Sequence, residues 1–224
     1  MTEPHHFWQD IVPAGTTVPA DSYIDHYPAR FPDGRHLLLP VRVLPGDGSR
    51  AVASLIVNQA SFAVEDALAE GMADLLLAKN PDVIMGVPTL GLPLANNVAR
   101  RLGHARMVPL GTSRKFWYRD DLSEPMSSIT SPTHAKTLFV DPRMLPLLAG
   151  KRVAVVDDVI SSGSSMLAVL RLLTKAGIEP VAIAAAMLQG DKWRTPLAPW
   201  TDRIMAPLAS PLLALSQDSR WRPL

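Results

Sequence analysis

Apolar positions along the chain fall into short blocks whose period switches between two and about four residues. Residues 36–44, HLLLPVRVL, and 51–57, AVASLIV, flank the turn signal PGDGS at 45–49, which predicts a β-hairpin. Pro40 lacks an N–H for the ladder, so the first strand is expected to bend there or lie at an edge. From Ser61 to Lys79 the residues Phe62, Ala63, Ala67, Leu68, Met72, Leu75 and Leu76 recur at helical spacing, with Ser61 as N-cap and Asn80-Pro81 as the stop. A strand at 82–86, the loop VPTLG and a helix from about Leu92 to Leu102 follow. Next come a strand at 105–110, a long polar and aromatic segment from Gly111 to about Lys136, and a strand at 137–141. The order then repeats with a strand at 152–157, a loop, a helix at 164–176 ending at Gly177, and a strand at 180–188.

Strands alternating with helices predict an α/β fold in one domain, with a central, mainly parallel β-sheet flanked by helices. The N-terminal hairpin, a long flexible flap and an irregular C-terminal tail complete the expectation. Residues 1–35 read as an N-terminal extension, 36–190 as the core with its flap at about 111–136, and 191–224 as the tail, which carries Trp193, Trp200 and Trp221 among prolines. In such sheets ligands bind beyond the carboxyl ends of the strands. The loops at 86–91 and 157–165 lie there, and the flap is long enough to close over them.

Composition narrows the partners. Of 224 residues, 47% are hydrophobic and 19% charged, the balance of a globular domain, and a formal net charge of +1 leaves no long-range field favouring nucleic acid or an acidic membrane. The lack of cysteine excludes disulfides and thiolate metal sites and fits a reducing cytoplasm. The first fifteen residues show no signal-peptide pattern, and no apolar run approaches the roughly 18 residues of a membrane span. A cytoplasmic protein is expected.

Chemistry concentrates in residues 151–166, KRVAVVDDVISSGSSM. An apolar strand ends in Asp157 and Asp158 and gives way to Ser161, Ser162, Gly163, Ser164 and Ser165, which open a helix. A glycine turn with hydroxyls and the free N–H groups of a helix N-terminus suits a phosphate monoester. The carboxylates would repel that phosphate on contact, but they can accept hydrogen bonds from vicinal hydroxyls or hold a hydrated Mg²⁺. A sugar phosphate satisfies both halves. On generic features alone, a serine cap beside solvated carboxylates explains the stretch equally well. Other phosphate and metal motifs fail: Gly86 to Gly91 is followed by Leu92-Pro93 rather than Lys-Ser/Thr, no G-x-G-x-x-G follows a strand, and the six histidines show no H-E-x-x-H spacing.

VVDDVISSGSS resembles the signature of the type I phosphoribosyltransferases, most closely the adenine- and xanthine-type purine members. The resemblance implies that the segment binds 5-phosphoribosyl-1-pyrophosphate (PRPP), with Asp157 and Asp158 facing the ribose hydroxyls and Mg²⁺ through water or those hydroxyls, and Ser161 to Ser165 around the 5′-phosphate. It implies a pyrophosphate loop at Gly86–Gly91, with Thr89, Leu90 and Gly91 as contacts and Thr89-Leu90 as candidate for a non-proline cis peptide. It further implies a flap whose Arg114 and Lys115 reach pyrophosphate, Lys115 as a catalytic group, with Arg119 and the polar stretch Ser127 to Thr133 beside them.

Base recognition is less defined. Ser161 stands where the hypoxanthine-guanine branch has an aspartate; Val159 and Trp193 are candidate base contacts, Glu124 a weaker candidate for proton transfer, and the tail a candidate base-side hood. The implied activity is Mg²⁺-dependent transfer of the phosphoribosyl group to a free base, expected to be a purine, with release of pyrophosphate in nucleotide salvage. A homodimer is the expected assembly. The alternative is a non-catalytic, PRPP-binding regulator, against which stands the lack of a helix-turn-helix or basic stripe.

Overall fold

The computed structural model describes residues 3–128 and 131–224. Strands β1 (Ile11–Val12), β2 (His26–Arg30), β3 (His36–Val43) and β4 (Arg50–Ala53) lead into helix α1 (Phe62–Leu77). Then follow β5 (Val83–Gly86), α2 (Gly91–Arg101), β6 (Val108–Pro109), β7 (Ser123–Ser128), β8 (Ser131–Phe139) and the short α3 (Leu145–Leu148). The last part comprises β9 (Val153–Ile160), α4 (Ser164–Lys175), β10 (Ala182–Gln189), β11 (Ile204–Met205), β12 (Leu208–Ser210), β13 (Leu212–Leu215) and β14 (Trp221–Pro223).

The central sheet runs β11-β10-β9-β5-β6, all parallel, with β12 also on β10. β9 lies at its middle and is buried on both faces. Ala154 and Val156 face one core with Leu39, Leu68 and Leu94, while Val153 and Val155 face a second with Met166, Leu170 and Leu173 of α4. Burial on both sides is why the strand reads as an unbroken apolar run rather than an alternation. The expected α/β fold with a parallel core is therefore the observed one.

A second sheet, antiparallel, runs β1-β3-β4-β13-β14, with β2 also on β3. The hairpin expected around 45–49 is its β3–β4 pair, and Pro40 sits where β3 changes partner. His26 pairs with Pro40 at the end of the β2 ladder, and the β4 ladder begins at Val41 opposite Ala53. β4 stops at Ala53 instead of continuing to residue 57, because Val57–Gln59 coils into a 3-10 turn that enters α1. Ser61 caps α1 as expected, its hydroxyl accepting from the Val64 N–H at 3.3 Å. That cap sets the helix phase on Val64, Leu68, Met72 and Leu76, so Phe62, two residues from Val64 and on the opposite side, is 86% exposed rather than in the core.

Two expectations fail through long-range pairing. The strand at 137–141 does not join the parallel sheet: β8 pairs antiparallel with β7, and Phe139 bridges Gly111. The flap is thus a hairpin preceded by a loop. Residues 129 and 130, and the side chains of the polar stretch from Ser127 to Thr133, lie outside the described residues. The C-terminal region, expected to be irregular, is built into both sheets. β11 and β12 extend the parallel sheet as two pieces interrupted at Ala206-Pro207, and β13 and β14 extend the antiparallel one. A proline in the gap cannot donate to a ladder, which accounts for the break. Among the described residues, no helix is long and apolar enough to cross a membrane.

Pro207 also explains a glycine inside α1. A Cβ on Gly71 would lie 2.7 Å from the Pro207 Cβ, a rigid ring atom. Gly71→Ala should gain roughly 1 kcal/mol in helix propensity yet lose about 1–3 kcal/mol to overpacking. A net fall in the urea unfolding midpoint is expected; a rise would show that the C-terminal segment gives way freely.

Candidate active site

β9 carries the acidic pair further than the sequence suggests. Its ladder with β10 continues past Asp157 to Val159↔Met187 and Ile160↔Leu188, so both aspartates belong to the strand and the loop shortens to Ser161–Gly163. Asp157 is 6% exposed and Asp158 half-buried. Asp157 Oδ1 accepts the Asp158 backbone N–H at 2.9 Å. Burial, reinforced by the neighbouring charge of Asp158, pushes the Asp157 carboxyl well above the usual range. Burial also raises Asp158, which is held down in part by its hydrogen bond with Asp157 and by the Val159 N–H. The pair is short of donors, and ligand hydroxyls or a cation would relieve it.

The predicted pyrophosphate loop meets this pair directly. A Cβ on Gly91, the first residue of α2, would lie 2.8 Å from the Asp157 Cα and 3.0 Å from both its Oδ1 and the Val156 carbonyl oxygen. Only a glycine lets the N-terminus of α2 press so closely on the acidic strand end. The Val87 N–H donates to the Val156 carbonyl at 3.0 Å, fixing the loop's start on the same strand. The non-proline cis peptide is Pro88-Thr89, one bond earlier than expected. Leu90 already has helical angles, φ −79° and ψ −18°, as the cap of α2, so Thr89-Leu90 is part of the helix entry. Thr89 is exposed at the loop's crest and Leu90 half-buried.

At the other end of the short segment, Gly163 adopts φ +81°, and a Cβ there would meet Pro196, Leu197 and the Trp193 Cα at 3.1–3.2 Å. Left-handed backbone and crowding both require glycine. Ser162 and Ser164 hydroxyls hydrogen-bond at 2.9 Å, while Ser161 and Ser165 stand half-exposed beside them. α4 starts here, its first N–H, that of Ser164, donating to Ser162 Oγ at 3.3 Å, and the positive end of the helix dipole faces the turn. The structure thus brings together Asp157, Asp158, Thr89, Leu90, Gly91 and Ser161 to Ser165 at the carboxyl edge of β5 and β9.

The remaining candidates are placed differently. Arg114 pairs with Asp120 and Arg119 with Asp121, all strongly exposed, while Lys115 is exposed and makes no ion pair among the described residues. The flap's arginines therefore rest on its own carboxylates. A cavity of about 600 Å³ at the flap root is lined by Thr112, Arg114, Asp120, Lys136 and Phe139 and by no residue of the acidic pair or serine turn. Trp193 is corrected as a base-stacking face: it is 3% exposed, its indole N–H donates to the Gly190 carbonyl at 3.0 Å, and its backbone underlies Gly163. Val159 is half-buried beyond the acidic pair and packs toward the first core. Glu124 is no proton donor to a substrate, being buried and clasped by Lys175 of α4.

Two polar residues at the same carboxyl edge escaped sequence reasoning. Gln189, buried at the end of β10, donates from Nε2 to the Ala53 carbonyl at 2.7 Å and ties the two sheets together. Ser210, its register partner on β12, keeps a buried hydroxyl without a partner among the described residues. A lone polar residue closing an apolar strand, as in AMLQG, is the available signal.

A family model described as phosphoribosyl transferase domain matches residues 55–206, which contain the acidic pair, the Gly86–Gly91 loop and the serine turn. The chain belongs to that family. The bifunctional protein PyrR of Synechocystis sp. is 33% identical over 135 residues, covering 57% of this chain and 70% of the relative. A hypoxanthine/guanine phosphoribosyltransferase of Methanosarcina mazei is 31% identical over 112 residues, 50% of this chain; the chain spans about half, 54%, of that relative's length. The fold is that of the adenine phosphoribosyltransferase crystal structure from Thermoanaerobacter pseudethanolicus, with a TM-score of 0.55 at 21% identity over 66% of this chain and 81% of that one. Within the family frame, the DD pair and the glycine turn are the parts of the phosphoribosyl transferase edge that the local sequence specifies most completely.

A pair of carboxylates lacking donors carries a stability consequence. Asp157→Asn with Asp158→Asn removes two adjacent like charges, one buried and one half-buried, and should raise ligand-free stability by about 0.5–2 kcal/mol. Thermal unfolding in metal-free buffer at pH 8 measures this; a lower melting temperature would mean that the charges are satisfied within the protein.

Proposed function

We propose that the protein transfers the 5-phosphoribosyl group of PRPP to the nitrogen of a free purine base, releasing pyrophosphate. The observation that carries this reading is the juxtaposition at β9: two underpartnered carboxylates, the Gly91 helix start pressed on Asp157, and the Gly163 turn opening α4. One short strand end thereby offers acceptors for ribose hydroxyls, backbone donors for a diphosphate and a separate cradle for a monophosphate.

In this mechanism Asp157 and Asp158 accept the ribose 2- and 3-hydroxyls and hold the ring rigid, which places the anomeric carbon for attack. The N–H groups at the start of α4 and the Ser161–Ser165 hydroxyls fix the 5-phosphate. The bond from the anomeric carbon to the pyrophosphate oxygen breaks as the base nitrogen's lone pair forms the new bond, the base's ring N–H proton passing to the departing pyrophosphate, and positive charge develops on the ribose as in glycoside cleavage. The neighbouring carboxylates stabilise that charge, and the α2 N-terminus stabilises the leaving anion. Arg114 and Lys115 reach the pyrophosphate when the flap closes, its polyanion replacing Asp120 on Arg114, and closure excludes water.

Two adjacent carboxylates fit a hydrated Mg²⁺ completed by substrate oxygens, in keeping with the ion's habit of binding through one or two carboxylates plus phosphates. Among the described residues no cluster of three or more His, Cys, Asp or Glu could hold a metal by itself. When bound, Mg²⁺ would neutralise pyrophosphate charge, with Asp157 and Asp158 as its protein contacts. The proposal extends to a cytoplasmic homodimer serving nucleotide salvage, with which the cysteine-free composition agrees.

The test is pyrophosphate release on incubation with Mg²⁺, PRPP and each of adenine, guanine, hypoxanthine and xanthine, with uracil and orotate as controls. Turnover with one or more purines is expected, and Asp157→Asn with Asp158→Asn should lower kcat/KM at least 100-fold while the far-UV spectrum is unchanged. PRPP binding without turnover on any base would instead assign a ligand-sensing regulator, and no PRPP binding would remove the reading altogether.

A further inference from the structure

Glu124 is a buried carboxylate outside the site just described. It lies on β7 at 8% exposure, with Lys175 Nζ 2.7 Å from Oε2 and Arg171 Nη1 3.9 Å from Oε1. Lys175 Nζ also donates to the Ser123 carbonyl at 2.7 Å, gripping side chain and backbone of the same strand. Both cations stand on the last turns of α4, the helix whose first turn is the serine cradle. A helix of this length spans about 18 Å, so α4 carries the cradle at one end and the clasp at the other.

The flap's cationic loop is tied into the same frame. Gly111 and Phe139 exchange backbone hydrogen bonds at 3.0 and 2.9 Å, and the Val140 N–H donates to the Leu122 carbonyl at 3.1 Å. The loop bearing Arg114, Lys115 and Arg119 therefore starts and ends on the root of the hairpin. Trp117 adds a third tie: its indole N–H donates to Asp141 at 3.2 Å under the Arg143 guanidinium. Loop, hairpin root, Glu124 and α4 form one continuous connection to the serine turn. Burying this carboxylate is costly, since Glu124 is taken out of water while Lys175 and Arg171 keep much of their side chains in solvent, whereas apolar packing alone would join the hairpin to the helix. The charge specifies a single position along α4 where sliding apolar contacts would allow several.

We propose that Glu124 is a positioning residue of the phosphoribosyl transfer, fixing the root from which the flap closes relative to the serine cradle, so that on closure its cations meet the pyrophosphate while the cradle holds the other end of PRPP. This rests on the functional reading above. It distinguishes two ligands: PRPP spans both the cradle and the flap, whereas ribose 5-phosphate, lacking the pyrophosphate, needs only the cradle and the acidic pair.

The variants are Glu124→Gln, Glu124→Asp and the double Glu124→Leu with Lys175→Met, which replaces the clasp by apolar packing where a single change disturbs folding. The expected result is a five- to twentyfold rise in the KM for PRPP and weaker product inhibition by pyrophosphate for Glu124→Gln and for the double variant. The inhibition constant of ribose 5-phosphate should stay within twofold of wild type, the double variant should melt near the wild-type temperature, and Glu124→Asp should fall between. Equal weakening of PRPP and ribose 5-phosphate, or a PRPP KM that does not move in protein that turns over normally, would overturn the positioning role alone. Failure of the wild-type protein to bind PRPP would overturn the functional reading and this inference with it.

Discussion

Everything at the carboxyl edge depends on the contact between Gly91 and Asp157. The strand end of β9 is buried by the sheet on both sides and by helices above and below, so Asp157 is out of water and Asp158 half out of it whether or not a ligand is present. Pressing the start of α2 onto Asp157 brings a helix dipole's positive end near those charges, and it leaves no room for a side chain that could neutralise them. The protein thereby holds an acidic strand end with backbone donors but no cationic partner among the described residues, a condition under which a polyhydroxyl ligand or a cation gains by arriving.

The flap meets that arrangement with the opposite solution. Its arginines are matched within their own loop, Arg114 to Asp120 and Arg119 to Asp121, at positions open to solvent where ion pairs contribute little. Pairs of that kind exchange readily for a more highly charged partner. The buried site is thus short of positive charge and the exposed loop holds it loosely, so that closing one over the other with a polyanion between them satisfies both.

Legibility followed sequence distance. VVDDVISSGSS is local: strand, acidic pair and glycine turn are contiguous, so burial, turn chemistry and anion affinity could all be inferred from neighbours, and α1 with its Ser61 cap and the β3–β4 hairpin were legible for the same reason. The parts that were not visible depend on partners far along the chain. β11 to β14 are two to four residues long and interrupted by proline, too short for a period to show, and they exist because β10 and β4 offer edges. Trp193 reads as a candidate base contact until Gly163 is seen resting against its backbone, and Glu124 as a weak candidate for proton transfer until Lys175 is folded beside it. Phe62 fits a helical period that begins one step too early, because the cap rather than the first apolar residue sets the phase.

The route of the chain through the antiparallel sheet also bears on how the molecule is made. β4 is completed by β13, Val52 opposite Leu212, and Tyr23 is bridged by Trp221, so the sheet's two halves are separated by nearly the whole length of synthesis. Until β13 has left the ribosome, β4 presents an open edge of unpaired N–H and C=O groups, the usual template for pairing with another chain. Contacts of such long separation also close slowly, because loop entropy must be overcome before they form. The parallel core and its acidic edge can assemble first, leaving the antiparallel sheet as the last piece to lock and the period before locking as the one in which the nascent protein most needs a chaperone.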